Sequence, residues 1–413
     1  MEGYLIDWLN LGVRWLHMIA GIAWIGASFY FIMLDLSLQA PKRAEDIRRG
    51  VAGELWAVHG GGFYVSQKFA VGPKGEPLAE DLHWSKWEAY TTWLSGMALL
   101  AIIYWWGANT HLIDRSVLDL SPATAIAISA ASLVTGWLVY DALCRAVRNE
   151  TVLAVILYVL TVAAAWGYHQ VFGARAAYIH VGALIGTIMV WNVFFHIIPG
   201  QKKMVAEIRA GQEPDPRPGI IGKQRSVHNT YFTLPVIFAM LSNHYSFLYT
   251  HSHNWLVLFL MMAGGAGIRQ FFVQRHGYHL GRASNPLPWA IAGVLIIAAV
   301  IVWLAPTPAA PTAGKASATN SIAPNADSAR AGGQNGYETV AKVLEQRCLQ
   351  CHGAQVQMKN VRLDSPEQVK VHAQNIYQQV VVTRQMPMNN ATQITDAERA
   401  LIGDWFKAGA KTP

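Results

Sequence analysis

Long apolar runs constrain this chain more than any motif in it. Eight stretches, near residues 11–38, 86–107, 121–143, 151–169, 175–199, 228–249, 254–274 and 286–305, are apolar over about 20 residues, the length a helix needs to cross a bilayer. In hydrocarbon every backbone N–H and C=O must find a partner inside the protein, so spans of this kind are expected to be helices packed in a bundle. The composition agrees: 53% of residues are hydrophobic and only 14% charged, against about a quarter charged in soluble domains. Met1-Glu2-Gly3-Tyr4 carries no basic stretch or cleavage site, so the first run reads as a retained span.

Loop charge then predicts orientation. Lys42, Arg43, Arg48, Arg49, Lys68 and Lys74 follow the first run, and Arg145 and Arg148 follow the third. Lys202, Lys203, Arg209, Arg217, Lys223 and Arg225 follow the fifth, and Arg275 and Arg282 the seventh. The alternate loops offer little beyond Arg115 and Arg175. Both termini are therefore expected outside, on the periplasmic side of a bacterial inner membrane. The net charge of +7 is accounted for by these inner loops, so no nucleic-acid role follows from it.

Near the C-terminus stands Cys348-Leu349-Gln350-Cys351-His352, a C-x-x-C-H motif. Its two thiols can bond the vinyl groups of a c-type haem, and the adjacent imidazole can reach the iron. A zinc site would need a second ligand pair; the only other cysteine, Cys144, reads as a small apolar residue at a helix end. Covalent haem attachment in bacteria occurs outside the cytoplasmic membrane, where the loop charges also place the motif. Residues 306–335, rich in Pro, Ala, Ser and Thr, read as a flexible linker between a membrane domain (1–305) and a small soluble domain (336–413). Thr395-Asp396-Ala397-Glu398 predicts a capping box opening the last helix. Met386-Pro387 just before it resembles the class I cytochrome c pattern, which makes Met386 the expected second iron ligand. Met388 competes, while Met358 lies too near His352 to reach the opposite face. The expected fold is thus all-α: a polytopic membrane helix bundle of eight spans, then a small class I cytochrome c domain.

Ionisable residues inside spans are usually functional. His180 and His196 lie on the fifth run, and His228 and His244 border the sixth; each pair is 16 residues apart, about 24 Å of rise. On antiparallel spans this puts His180 with His244 and His196 with His228, so one or two haem b groups are a candidate cofactor set. His17 is an alternative at the outer level. Trp56-Ala57-Val58-His59-Gly60-Gly61-Gly62-Phe63-Tyr64, with Lys68 beyond, reads either as a close approach to a planar ligand or as a re-entrant segment bent at its glycines. Glu88, Asp141 and Asp35 read as span-end residues.

The stretches Arg14 to Gly26, Trp56 to Tyr64 and His228-Asn229-Thr230-Tyr231-Phe232-Thr233-Leu234-Pro235 resemble the bacterial membrane-bound urate oxidase (urate hydroxylase) family, and the C-terminal cytochrome domain suits that resemblance. It implies oxidation of urate toward 5-hydroxyisourate in purine catabolism, with electrons passed to haem c and on to a soluble cytochrome c or respiratory oxidase. It supplies no catalytic set. Urate is an anion, so Arg225, Lys68 and Arg269 are candidate cations and His59 a candidate base. The rival classes are a membrane electron-transfer subunit oxidising quinol and a transporter with a redox sensor.

Overall fold

A computed structural model describes residues 2–115, 117–249, 251–305, 334–358, 361–382 and 384–413. The linker expected at 306–335 lies almost wholly outside them.

The chain opens with the long helix α1 (Glu2–Ser37), followed by the short α2 (Ala44–Arg49) and a hairpin of β1 (Val51–His59) and β2 (Gly62–Phe69). This hairpin corrects the all-α expectation. Gly60 and Gly61 form its two-residue turn with φ of 58° and 81°, and His59 pairs with Gly62. Consecutive positive φ values define the turn that matches strand twist, and glycine adopts them without steric cost. Trp56, Val58, Phe63 and Val65 share one exposed face of the pair, and the stretch bends at its glycines as a hairpin.

Helices α3 (Trp87–Leu99), α4 (Pro122–Ala146), α5 (Glu150–Val171), α6 (Ala174–Asn192), α7 (Ile198–Arg209), α8 (Arg217–Leu241), the single turn α9 (Ser246–Tyr249), α10 (Asn254–His279) and α11 (Leu287–Trp303) complete the first domain. Five helical stretches are long and apolar enough to cross a membrane: Trp8–Ser37, Pro122–Ala146, Glu150–Val171, Ala174–Arg209 and Asn254–His279. Leu287–Trp303 is apolar but shorter. Local chemistry sets several boundaries. Ser121 caps α4 through Thr124 N–H, with Pro122 in the first turn, and Asn149 caps α5. Between α6 and α7 the helix widens into a π-turn over Val193–Ile197. Pro199 follows; it has no N–H to give the carbonyl of residue 195, and its ring crowds that turn. Glycines bring α10 and α11 together: a Cβ added at Gly293 would stand 2.6 Å from the Gly264 carbonyl oxygen.

The clearest boundary correction is α8. The sixth apolar run predicts a start near 228, yet the helix begins at Arg217. Arg225 and His228 are therefore inside a helix rather than in or beside a loop. The ends of α1, α4, α7 and α10, the starts of α5 and α8, and the hairpin share one end of the bundle, called here the hairpin end. Lys68 bonding Asp35 at 2.6 Å, Ser37 bonding His276 at 3.0 Å, and Arg282 donating to the Leu38 carbonyl at 2.9 Å tie that end together.

The small domain consists of α12 (Gln334–Arg347), α13 (Leu349–His352), α14 (Pro366–Ile376) and α15 (Asp396–Lys407) around its own core, with Val340, Leu344, Ile402 and Trp405 at the centre. Its first and last helices pack with Tyr337 and Trp405 rings 6.3 Å apart. Thr395 and Glu398 form the expected capping box. Met388–Asn390 packs on Ala108–Leu112 at the far end of the bundle, where Arg175 Nη1 lies 4.0 Å from Met388 Sδ and Arg175 Nη2 donates to Asn243 at 3.3 Å.

Candidate functional site

Toward the hairpin end, α4, α6, the π-turn and α8 enclose a polar cluster. Asp141 Oδ1 accepts from Arg225 Nη2 at 2.7 Å and from His196 Nε2 at 2.6 Å, while Arg145 reaches its other oxygen at 2.6 Å. Arg225 is 1% exposed, its guanidinium 5.0 Å over the Tyr140 ring. The π-turn after α6 positions His196 for this contact. Asn192 Nδ2 donates to the Tyr140 hydroxyl at 3.0 Å and to Asn229 Oδ1 at 3.1 Å. Because that hydroxyl already accepts, its own proton goes to His228 Nδ1, 2.8 Å away. His228 then carries its ring proton on Nε2, which faces Glu150 at 3.4 Å. Gln224 holds the other Glu150 oxygen at 2.6 Å.

Two guanidiniums thus face one buried carboxylate, Arg225 buried and Arg145 exposed. A path of hydrogen-bonded groups, Tyr140 to His228 to Glu150, leads from the buried cation to an exposed carboxylate. Beside it, between α5, α8 and α10, a cleft of about 230 Å³ is lined by Tyr158, Ile185, His228, Tyr231, Phe232 and Met262, among others.

Of the candidates from sequence, Arg225 is in this cluster and His59 and Lys68 are not. His59 is exposed at the hairpin tip, and Lys68 is paired with Asp35 on α1. The span histidines differ in what remains free for a ligand. His180 is fully buried and uses both ring nitrogens, with Ser129 Oγ at 2.7 Å and the Ala176 carbonyl at 2.8 Å. His228 likewise uses both. His196 gives Nε2 to Asp141. His17 uses Nδ1 on the Thr92 carbonyl at 2.9 Å and Ser95 at 3.1 Å, and packs against Gly96. His244 is exposed at the far end. Tyr140, Asn192, Asn229 and Glu150 are cluster members to which sequence reasoning gave no role, and Asp141, read as a span-end residue, is instead the centre of the cluster. An acid inside the third apolar run was the available signal for Asp141. Among the described residues, no group of three His, Cys, Asp or Glu side chains converges as a metal site.

In the small domain Cys348 and Cys351 are free thiols on one turn, with His352 next to them. Burial, reinforced by Cys351, pushes the Cys348 thiol up to about 12, and burial also raises Cys351. His352 Nδ1 bonds the Val361 carbonyl at 3.3 Å, which turns Nε2 into the available lone pair. Arg399 Nη1 donates to the Met386 carbonyl at 2.8 Å, fixing that loop against the core.

A family model described as Urate oxidase N-terminal matches residues 3–305. The chain belongs to that family. The match covers the whole helical bundle with its polar cluster and ends before the small domain. Comparison with curated proteins and with solved structures gives no match. Membership in the urate oxidase N-terminal family makes this an oxidoreductase related to urate, and the apolar helices associate it with a membrane. Urate brings a planar anion that must lose protons as it is oxidised.

Proposed function

We propose that this protein oxidises urate toward 5-hydroxyisourate in purine catabolism and sends the electrons through haem c to a soluble cytochrome c or a respiratory oxidase. The family match carries the substrate, and the buried acid–base cluster is what supports chemistry inside the bundle. Urate and one water give the hydroxylated product, two electrons and two protons. His228 takes a proton at Nδ1 through Tyr140 and releases one from Nε2 to Glu150. Asp141 holds Arg225 and His196 in place.

The small domain suits haem c. Cys348 and Cys351 would supply the thioether bonds, and His352 and Met386 would be the iron ligands. The Met388 sulfur faces Arg175 instead, which favours Met386. When bound, this group supplies a one-electron acceptor at the far end of the bundle. A non-covalent haem b in the membrane part would draw on His17 and His244, since the ring nitrogens of His180 and His228 are engaged. The bundle crosses the bacterial inner membrane eight times: α3 with its π-helical continuation, α8 and α11 join the five longer stretches. The hairpin end faces the cytoplasm and the small domain the periplasm, as loop charge requires.

Anaerobic turnover with ferric cytochrome c tests this. Two equivalents of acceptor should be reduced per urate consumed, with 5-hydroxyisourate as product and no peroxide. Reduction by quinol alone, with urate inert, would contradict it.

A further inference from the structure

Arg225 is not the only buried guanidinium. Arg269 lies on α10, ten residues before His279, about 15 Å of helix from the hairpin end. It is 7% exposed and sits 4.0 Å over the Phe29 ring of α1. Among the described residues no carboxylate lies within ion-pair distance of it. Its Nε and Nη2 are buried with no hydrogen-bond partner. A face-on aromatic contact does not replace the hydration that a buried guanidinium has lost. An arginine at this depth with two unsatisfied donors has the chemistry to bind an anion.

The identity of the two free donors narrows the ligand. Nε–H and Nη2–H point the same way from one edge of the guanidinium, and that fork meets two adjacent acceptors at once. Arg225 has no such edge to offer. Its Nη2 is held by Asp141, and the donors left over, Nε and Nη1, do not form the same side-on fork. Tyr231 on α8 is near enough to act on Arg269 electrostatically, and its hydroxyl donates to Gln270, the neighbour of Arg269 on α10. Tyr231 stands one turn beyond His228 on α8, which links this edge to the proton path.

We infer that Arg269 is the anion-binding residue for the substrate: its side-on edge holds the purine through two neighbouring acceptors, N3 and the C2 carbonyl oxygen, where the urate monoanion carries its charge. This rests on urate being the substrate. Arg225 then serves as the partner of Asp141, not as the substrate's counter-ion.

The test is equilibrium dialysis of full-length protein, reduced beforehand with dithionite so that bound urate is not consumed. Arg269→Gln should weaken urate binding at least roughly 30-fold, with Arg269→Lys in between, because an ammonium keeps the charge and loses the fork. On unaltered protein, 9-methylurate should compete as well as urate and 3-methylurate should not, which decides the matter even if the variants fail to fold. Folded Arg269→Gln that binds urate as tightly as wild type would overturn the assignment, as would equal competition by the two methylurates. Absence of any urate binding by wild type would instead overturn the substrate reading, and the assignment with it.

Discussion

Asp141→Asn isolates the cost of the buried cluster. The carboxylate is 8% exposed at its side chain and compensates Arg225, whose side chain is 2% exposed. Neutralising it leaves the buried Arg225 guanidinium without a counter-charge. Breaking a buried pair in this way costs about 3–5 kcal/mol. The same carboxylate also bonds Arg145, but that side chain is 69% exposed, and an exposed pair contributes about 0–1 kcal/mol. For domains of 150–250 residues each kcal/mol lowers Tm by roughly 2–4 °C, so a fall of roughly 6–20 °C is expected for Asp141→Asn and at most a few degrees for Arg145→Ala. The assay is loss of the monodisperse protein on heating in detergent at a fixed scan rate. Replacing both Asp141 and Arg225 with leucine should recover most of the lost stability, since neither charge is then stranded, while urate oxidation stays abolished. A shift under about 2 °C for Asp141→Asn, or a double variant no better than the single one, would refute the claim that this pair is buried and mutually dependent.

Three further outcomes follow from the geometry. Cys348→Ala with Cys351→Ala should abolish covalent haem, checked by haem-stained gels, and unchanged staining would remove the attachment assignment. Met386→His should lower the haem reduction potential in a redox titration, because imidazole replaces a thioether that favours reduced iron; Met388→Leu should leave it unchanged, and the reverse result would exchange the two residues. A periplasmic reporter enzyme fused after Pro311 should be active, and one fused after Gln212 inactive; the opposite pattern would invert the orientation.

Much of the bundle is legible in the sequence because hydrophobic length is a local property. Five of the eight apolar runs mark helices to within about five residues at both ends, while α1 begins nine residues ahead of its run and the helix of the fifth run continues to Arg209. The sixth run's helix, α8, begins 11 residues ahead of it, because its first three turns hold Pro218, Gly219, Gly222, Lys223 and Gln224 and read as a loop. Tertiary packing makes them helical: a Cβ added at Gly200 would stand 3.0 Å from Pro218, and one added at Gly222 4.0 Å from Ile197 Cα. That shift is what hides Arg225. The hairpin is a different case, since Gly60-Gly61 between aromatic and β-branched residues carries a turn signal in its own right. Site partners are the least legible. Asp141 meets Arg225 across 84 residues of chain, and Tyr140 meets His228 across 88. The spacing of the histidines sets their depth, yet only packing reveals that Ser129 and Ala176 have already used both nitrogens of His180.

Whether urate itself delivers electrons to this chain is the central question. The most direct measurement is an anaerobic spectrum of the purified, oxidised full-length protein before and after urate is added. The haem bands should shift to their reduced form, with one urate sufficient for two haem equivalents, and Tyr140→Phe or His228→Gln should slow that shift without changing the final spectrum. Haem that stays oxidised with urate but is reduced by quinol or dithionite would contradict the proposed reaction.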